Sequence, residues 1–411
     1  MFNSKRYPWT AIGLLWVVAL LNYLDRQMLA TMKSSMQVDI IELQSAANFG
    51  YLMAIFLWIY GALSPLSGLV ADRVNKKWLI VGSLFMWSLV TFLMGHATHF
   101  SQLYFLRGLM GFSEAFYIPA ALSLIADLHD SKTRSLAVGL HMTGQYTGLA
   151  LGGFGATIAD SISWQGAFKF LGIFGILYSI VLIVFLKGHR FVLPNDDKKI
   201  KINSSSLLQG VSLLMTNFSF WIILFCFTIP SLPGWAVKNW LPTLFAQNLK
   251  IDMTIAGPWS TITTAGSSLL GVITGGFIAD RWSQINLKGR VYTAAIGLGL
   301  TIPALILIGI GQNFMYSIGS AFCFGFGFGM FDANNMPIIC QFVSSRYRAT
   351  AYGLMNMTGI FAGAIITNVL GKTTDAGKLG SGFSFLAAFV LIAIALQVFL
   401  LKPTTNNYEV D

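Results

Sequence analysis

The sequence predicts an all-α membrane protein of twelve transmembrane helices in two pseudo-symmetric six-helix bundles, with both termini cytoplasmic. Three observations carry that prediction. Apolar runs of about 20 residues, the length needed to cross a bilayer, recur along the whole chain. Lysine and arginine crowd the loops of one side, and short signatures of the first half return at the same ordinal place in the second.

Composition sets the class. Of 411 residues, 55% are hydrophobic and 10% charged, whereas an average soluble domain has about 25% charged residues. The 41 glycines agree, since membrane helices tolerate Gly more than soluble ones do. The net charge of +10 is scattered through short loops, so it argues against a nucleic-acid-binding face. Cys226, Cys323 and Cys340 lie inside apolar runs without metal-ligand spacing, which supports neither disulfides nor zinc. Met1–Pro8 leads directly into the first span, so no cleavable leader is expected.

In chain order the spans fall near 9–32, 46–71, 78–96, 101–128, 134–158 and 164–187, then 210–240, 254–279, 290–310, 313–342, 347–370 and 379–401. The longest polar interruption, Gly188–Ser206, separates an N-terminal bundle (1–187) from a C-terminal bundle (209–411) through a linker at 188–208. Counted loop by loop, the side of the termini and linker carries 18 Lys and Arg, the opposite side five (Lys33, Lys238, Lys250, Lys372 and Lys378), and three lie within spans. The positive-inside rule makes the richer side cytoplasmic, in a multi-pass protein of the inner or plasma membrane.

The halves repeat. Gly-Leu-Val-Ala-Asp72-Arg73 after span two returns as Gly-Phe-Ile-Ala-Asp280-Arg281 after span eight. Arg134-Ser-Leu-Ala-Val-Gly, opening span five, returns as Arg348-Ala-Thr-Ala-Tyr-Gly, opening span eleven. Parallel repeats of this kind are a transporter architecture with the cargo site between the halves.

The loop Gly68-x-x-x-Asp72-Arg73-x-x-Lys76-Lys77, its echo at Asp280-Arg281 and the six-plus-six layout resemble the major facilitator superfamily along essentially the whole chain. Asn75 stands where that family's loop usually has glycine, and Asn is expected to keep the turn because it tolerates the left-handed region. Asn22-Tyr23-Leu24-Asp25-Arg26 in span one and Arg107-Gly-x-x-Gly-x-x-Glu114 in span four resemble the anion:cation symporter group: galactonate and hexuronate permeases, sialin and vesicular glutamate transporters. That resemblance implies proton coupling at Asp25 and Glu114, carboxylate binding or organisation of the acids by Arg26 and Arg107, and contact of Gln145 with sugar hydroxyls. Spinster-like lipid transporters share part of the same pattern.

The residues themselves bear weighing. Ionisable side chains inside a membrane helix are costly and mark pathways or relays by default. Arg107 and Glu114, two helical turns apart, share one face of span four. A changing Arg–carboxylate separation would switch protonation, and the alternative is a static pair locking two helices. Asp25 and Arg26 point about 100° apart on span one, Asp25 towards a proton path and Arg26 towards cargo or Glu114. Asp332, the acid within the second-half spans, is either a further proton or cation site or a polar hub. Asn334 and Asn356 are candidates for hydroxyl contacts, as is Asn335. Tyr23, Tyr117, Tyr146 and Trp235 are candidate cavity aromatics. Lys169 and Lys238, near the expected outer ends, read as snorkelling side chains, with a basic vestibule as the alternative. His141 reads as core packing. Asp72, Arg73, Arg134, Asp280, Arg281 and Arg348 read as gating residues on the cytoplasmic side. Gly144/Gly148/Gly152 and Gly359/Gly363 have the spacing of close helix contacts. Pro119, Pro230, Pro233 and Pro337 are expected to kink or break their helices.

The leading expectation is a proton-coupled symporter importing an organic anion, a sugar acid (hexonate or hexuronate) or small carboxylate, by rocker-switch alternating access. No cofactor is expected, and the coupling ion is H+ with Na+ as the alternative. The expected partners are the anion and membrane lipids, with the protein a monomer. A spinster-like exporter of a lipid or amphiphile is the alternative function. An enzyme is disfavoured for want of a nucleophile–base or metal-ligand constellation, and an ATP-driven pump for want of a Gly-x-x-x-x-Gly-Lys-Ser/Thr loop.

Overall fold

The computed structural model describes residues 7–130, 133–187, 211–343 and 347–401, so the expected linker at 188–208 lies outside the described residues. Among the described residues the fold is helical and contains no strand. The first half comprises α1 (Tyr7–Thr31), α2 (Lys33–Asp39), α3 (Ala46–Arg73), α4 (Lys76–Met94), α5 (Phe100–Glu114), α6 (Tyr117–Leu128), α7 (Arg134–Leu151), α8 (Gly155–Ile162) and α9 (Trp164–Phe185). The second comprises α10 (Phe218–Leu249), α11 (Met253–Ser283), α12 (Gly289–Ile310), α13 (Phe314–Asp332), α14 (Asn335–Phe342), α15 (Arg348–Asp375) and α16 (Leu379–Leu400).

Counting α5–α6 and α13–α14 as one helix each, eleven helices among the described residues are long and apolar enough to cross a membrane. The expected span at 134–158 is not among them. It is built as α7, a 3-10 turn at Gly152–Phe154 and α8. His141, Thr143, Gln145, Tyr146 and Thr147 dilute its apolar character.

Two expected spans are broken at matching places. Glu114 ends α5 and Tyr117 begins α6. Asp332 ends α13 and Asn335 begins α14. Pro119 and Pro337 each sit in the first turn of the new helix, where a missing backbone N–H costs least. By contrast α10 runs on through Pro230, Pro233 and Pro242, which corrects the expectation of a break there. It extends to Leu249 rather than stopping near 240, so Lys238 is interior to the helix and not at its end.

Asn75 differs from expectation too. Its backbone is extended (φ −60°, ψ 112°) and it caps α4, its side chain accepting from Lys77 N at 3.1 Å. The short polar side chain serves as an N-cap and not as a glycine substitute in a left-handed turn.

Packing repeats between the halves. α1 packs on α7, α3 on α5 and α4 on α9, while α10 packs on α15, α11 on α13 and α12 on α16. The halves meet through α3 on α15, α7 on α11 and α1 on α10. Glycines set the closest approaches: a Cβ at Gly144 would lie 2.6 Å from Trp16 O, and one at Gly148 would overlap Leu20 O. In the second half, Cβ atoms at Gly359 and Gly363 would overlap Phe227 and Trp235. Both small-residue lanes are therefore contact seams, as their spacing predicts.

Contacts between halves concentrate at the end remote from the termini. There Asp375 of α15 accepts from Ala46 N (2.7 Å), Ala47 N (2.9 Å) and Ser45 Oγ (2.9 Å), so the second half caps the N-terminus of α3. Gln27 Nε2 donates to Lys238 O at 3.0 Å, and Thr261 Oγ1 to Ala150 O at 3.0 Å. Gly153 and Gly257 meet backbone to backbone. Towards the end that carries the termini, Cβ atoms at Gly68, Gly139 and Gly276 would meet nothing within 4 Å. The halves are clasped at the remote end, and the contact runs along α3 and α15 as far as the Asn356–Ser64 bond.

Gly148→Val is expected to lower stability by about 1–3 kcal/mol through overpacking. The readout is the melting temperature of the purified protein in detergent, with Gly139→Ala, in open space, as the variant that does not shift it.

Candidate transport site

The site grows from α1. Asn22 and Arg26 are one turn apart and face α5. Asn22 Nδ2 donates to Glu114 Oε2 at 2.8 Å, and Arg26 Nε donates to the same oxygen at 2.6 Å. Glu114 is fully buried, while the Arg26 side chain keeps 14% exposure. The ion pair is thus Arg26–Glu114, between helices. Arg107, which shares a helix with Glu114, makes no ion-pair contact with it among the described residues; its Nη1 lies 3.0 Å from Met110 Sδ. The face shared along α5 brings Arg107 near, but the oxygen is taken by α1.

Helix α3 supplies an aromatic cage that the motifs do not reveal. The Arg26 guanidinium lies 4.7 Å from the Phe56 ring, 4.8 Å from Tyr60 and 5.3 Å from Tyr23. The Arg107 guanidinium is 4.8 Å from the same Phe56 ring. Two guanidiniums therefore share one ring, each partly compensated by its π face. Phe56 can reach them because Gly111 of α5 rides on its backbone: a Cβ there would lie 2.6 Å from Phe56 O.

Asp25 points away, as the helical angle requires. It is buried and its Oδ2 accepts from Thr91 Oγ1 of α4 at 3.4 Å. Around this cluster Asn22 Oδ1, Asp25 Oδ1, Arg26 Nη2, Arg107 Nε and Glu114 Oε1 are buried without hydrogen-bond partners among the described residues. Each such atom costs about 1–3 kcal/mol in an apolar setting. Five unsatisfied polar atoms therefore converge on one buried charge cluster.

The other expected site residues divide. Tyr23 cages Arg26. Gln145 on α7 is half-buried and has no hydrogen-bond partner among the described residues. Tyr117 is fully buried; its hydroxyl donates to Leu15 O at 2.9 Å and sits 2.9 Å from His141 Nε2. It braces three helices rather than lining a cavity, and His141 is core packing, as its sequence position suggests. Asn334 Nδ2 donates to Met330 O and is buried, while Asn335 Nδ2 donates to Asp332 Oδ1 at 3.0 Å. Asn356 Nδ2 donates to Ser64 Oγ at 3.0 Å, a bond between α15 and α3 that crosses the halves. Asp332 is exposed.

Of the expected gating residues, Asp280 binds Arg290 at 2.9 Å and the Arg281 guanidinium lies over Phe277. Arg134 donates to Ala126 O and His129 O, and Arg348 to Cys340 O and Val343 O. The repeated arginines thus do the same work, sealing the C-terminal carbonyls of α6 and α14. The side chains of Asp72 and Arg73 lie outside the described residues. Asn22, Phe56, Tyr60 and Thr91 were missed as site residues. The i, i+4 spacings Asn22/Arg26 and Phe56/Tyr60 were visible, but which helix faces which was not.

Helices long enough to span a bilayer, a half-to-half repeat and a buried charge cluster with exposed polar neighbours define a polytopic membrane transporter. The chain belongs to the Major Facilitator Superfamily, whose sequence profile matches residues 15–368. It is 25% identical to the hexuronate transporter of Escherichia coli (strain K12), over 100% of this chain and 97% of that one. It is 24% identical to the D-galactonate transporter of Escherichia coli O6:H1, over 96% and 94%. With protein spinster homolog 1 of Xenopus tropicalis it shares 27% identity over 74% of this chain, spanning 60% of the frog protein's length. A crystal structure of a bacterial homolog of the human lysosomal transporter Spinster, described as inward-facing and unoccupied, superimposes with a TM-score of 0.80 at 18% identity, covering 96% of this chain and 97% of that one. That last likeness is one of fold.

Arg26→Met and Glu114→Gln are each expected to destabilise the protein, by about 3–5 kcal/mol where a buried charge is left alone. The double replacement should cost less than the sum of the two, read as a coupling in thermal unfolding of the four proteins.

Proposed function

We propose that the chain is a proton-coupled symporter that imports an organic anion, a sugar acid or small carboxylate, as its two halves (1–187 and 209–411) rock about the site. The observation that carries this reading is the buried Arg26–Glu114 pair beside a second guanidinium, Arg107, that has no carboxylate in contact. An incoming carboxylate and Glu114 compete for Arg26. Protonation of Glu114 frees the guanidinium for the anion, and anion binding in turn favours protonated Glu114. Asp25, set apart on the other face of α1, is a second carrier of protons, and Asp332 a third in the opposite half. Gln145 and Tyr23 address hydroxyl groups of the cargo.

The relatives named for hexuronate and D-galactonate support a sugar acid. The positive-inside bias supports termini in the cytoplasm. The spinster likeness supports a lipid or amphiphile instead. Two adjacent guanidiniums, Arg26 and Arg107, and half-buried Gln145 favour the polar anion.

In proteoliposomes with an imposed pH gradient, uptake of at least one acid from a panel of hexonates, hexuronates and dicarboxylates is expected to exceed uptake without the gradient. Glu114→Gln should abolish accumulation but retain counterflow. Gradient-independent uptake of every acid overturns proton coupling, and no uptake of any overturns the anion reading.

A further inference from the structure

A donor and an acceptor share one face of α5 and do not meet. Arg107 Nε and Glu114 Oε1 are both buried without hydrogen-bond partners among the described residues. Two helical turns separate the residues, about 10 Å along the axis, which is within the joint reach of an extended arginine and a glutamate. An ion pair across those turns would satisfy both atoms. What keeps it from forming is on α3. Gly111 stands midway between the two charges, and the backbone of Phe56 rests against it: a Cβ at Gly111 would lie 2.6 Å from Phe56 O. Phe56 is buried, and the centre of its ring is 4.8 Å from the Arg107 guanidinium. The other close contact of that guanidinium among the described residues is Met110 Sδ, 3.0 Å from Nη1, and a thioether is a weak acceptor.

The Arg107 charge is therefore tied to the Phe56 ring. Arg26 depends on that ring far less, since it also has Glu114 Oε2 at 2.6 Å and the rings of Tyr60 and Tyr23. With Phe56 in place, Glu114 has one guanidinium in contact. Without it, Arg107 is free to turn to the unpartnered carboxylate oxygen two turns away. A second guanidinium beside a carboxylate favours the charged form. The other titratable groups on the surrounding helices are engaged elsewhere. Asp25 of α1 faces Thr91 of α4, Tyr23 of α1 and Tyr60 of α3 lie on Arg26, and Tyr117 of α6 and His141 of α7 bond each other. Past Lys76 and Lys77 at its start, α4 carries no titratable residue. In the opposite half, Lys238 lies over Trp235 and Asp332 accepts from Asn335. Tyr146 of α7 makes no polar contact with Glu114 among the described residues.

We propose that Phe56 is a positioning residue for proton coupling: its ring holds Arg107 away from Glu114 and so fixes the pH at which Glu114 exchanges its proton. This rests on the reading of Glu114 as a proton carrier and adds the group that sets its proton affinity.

The test titrates Glu114 itself, without cargo. Infrared spectra of the purified full-length protein in lipid are recorded against pH, following the protonated carboxyl band that Glu114→Gln removes. Phe56→Leu is expected to move the midpoint of that band down by about 1–3 pH units, the effect of one arginine brought beside a carboxylate. Pentafluorophenylalanine in place of Phe56 keeps the shape of the ring and cancels its negative face. It should shift the midpoint in the same direction, and it decides the case if Phe56→Leu does not fold. In an Arg107→Met background both replacements should leave the midpoint where Arg107→Met puts it, whereas a ring that only fills space would act alike in both backgrounds. A midpoint that neither replacement moves, that moves up, or that moves equally with and without Arg107 overturns the proposal and leaves Glu114 as a proton carrier. If Glu114→Gln removes no titrating band while the protein stays folded, both fail.

Discussion

The ion pair between Arg26 and Glu114 is the interaction on which the rest of the site depends. It joins α1 to α5 at 2.6 Å with Glu114 fully out of solvent. Removing charges from water is expensive, and their mutual attraction repays it only with good geometry and satisfied neighbours. Here the geometry is good, with Asn22 adding a second donor to the same oxygen, but the remaining polar atoms are not satisfied. Such a pair joins the two helices, and in the proposed cycle its incompleteness lets it yield to a proton or an anion.

The surrounding packing serves that balance. Gly144 and Gly148 let α7 lie against the backbone of α1, and Gly111 lets α5 lie against α3 at Phe56. Those approaches fix where Arg26 and Arg107 can point, and one ring then serves both guanidiniums. A cation held by a π face keeps part of its stabilisation when its carboxylate leaves. In the proposed cycle this lowers the cost of the intermediate in which Glu114 is neutral and cargo has yet to arrive.

The clasp between halves is built from different material. Asp375 caps α3 across the interface, Gln27 reaches a carbonyl of α10, and Gly153 meets Gly257. These directional bonds lie near the ends of helices, with small-residue contacts and the ring contacts Phe49–Trp240 and Trp58–Phe361 beside them. At the opposite end, Arg134 and Arg348 spend their donors on carbonyls within their own halves.

Much of this was legible in the sequence. The helical membrane fold, the family and the duplicated Arg134 and Arg348 motifs all follow from local pattern: apolar length, charge placement and repeated spacing. Those properties depend on residues close together along the chain. What the sequence did not determine depends on which faces of distant helices meet. It could place Arg107 and Glu114 on one face, but not show that Arg26 takes the carboxylate. It could mark Tyr117 as a cavity candidate, but not that its hydroxyl is spent on Leu15 O and His141. It took Lys238 for a helix end because polar residues usually stop an apolar run, whereas α10 continues past it to Leu249 and turns the lysine into the gap between halves. Burial, partner and orientation are set by contacts across tens to hundreds of residues, and only the tertiary structure brings those contacts together.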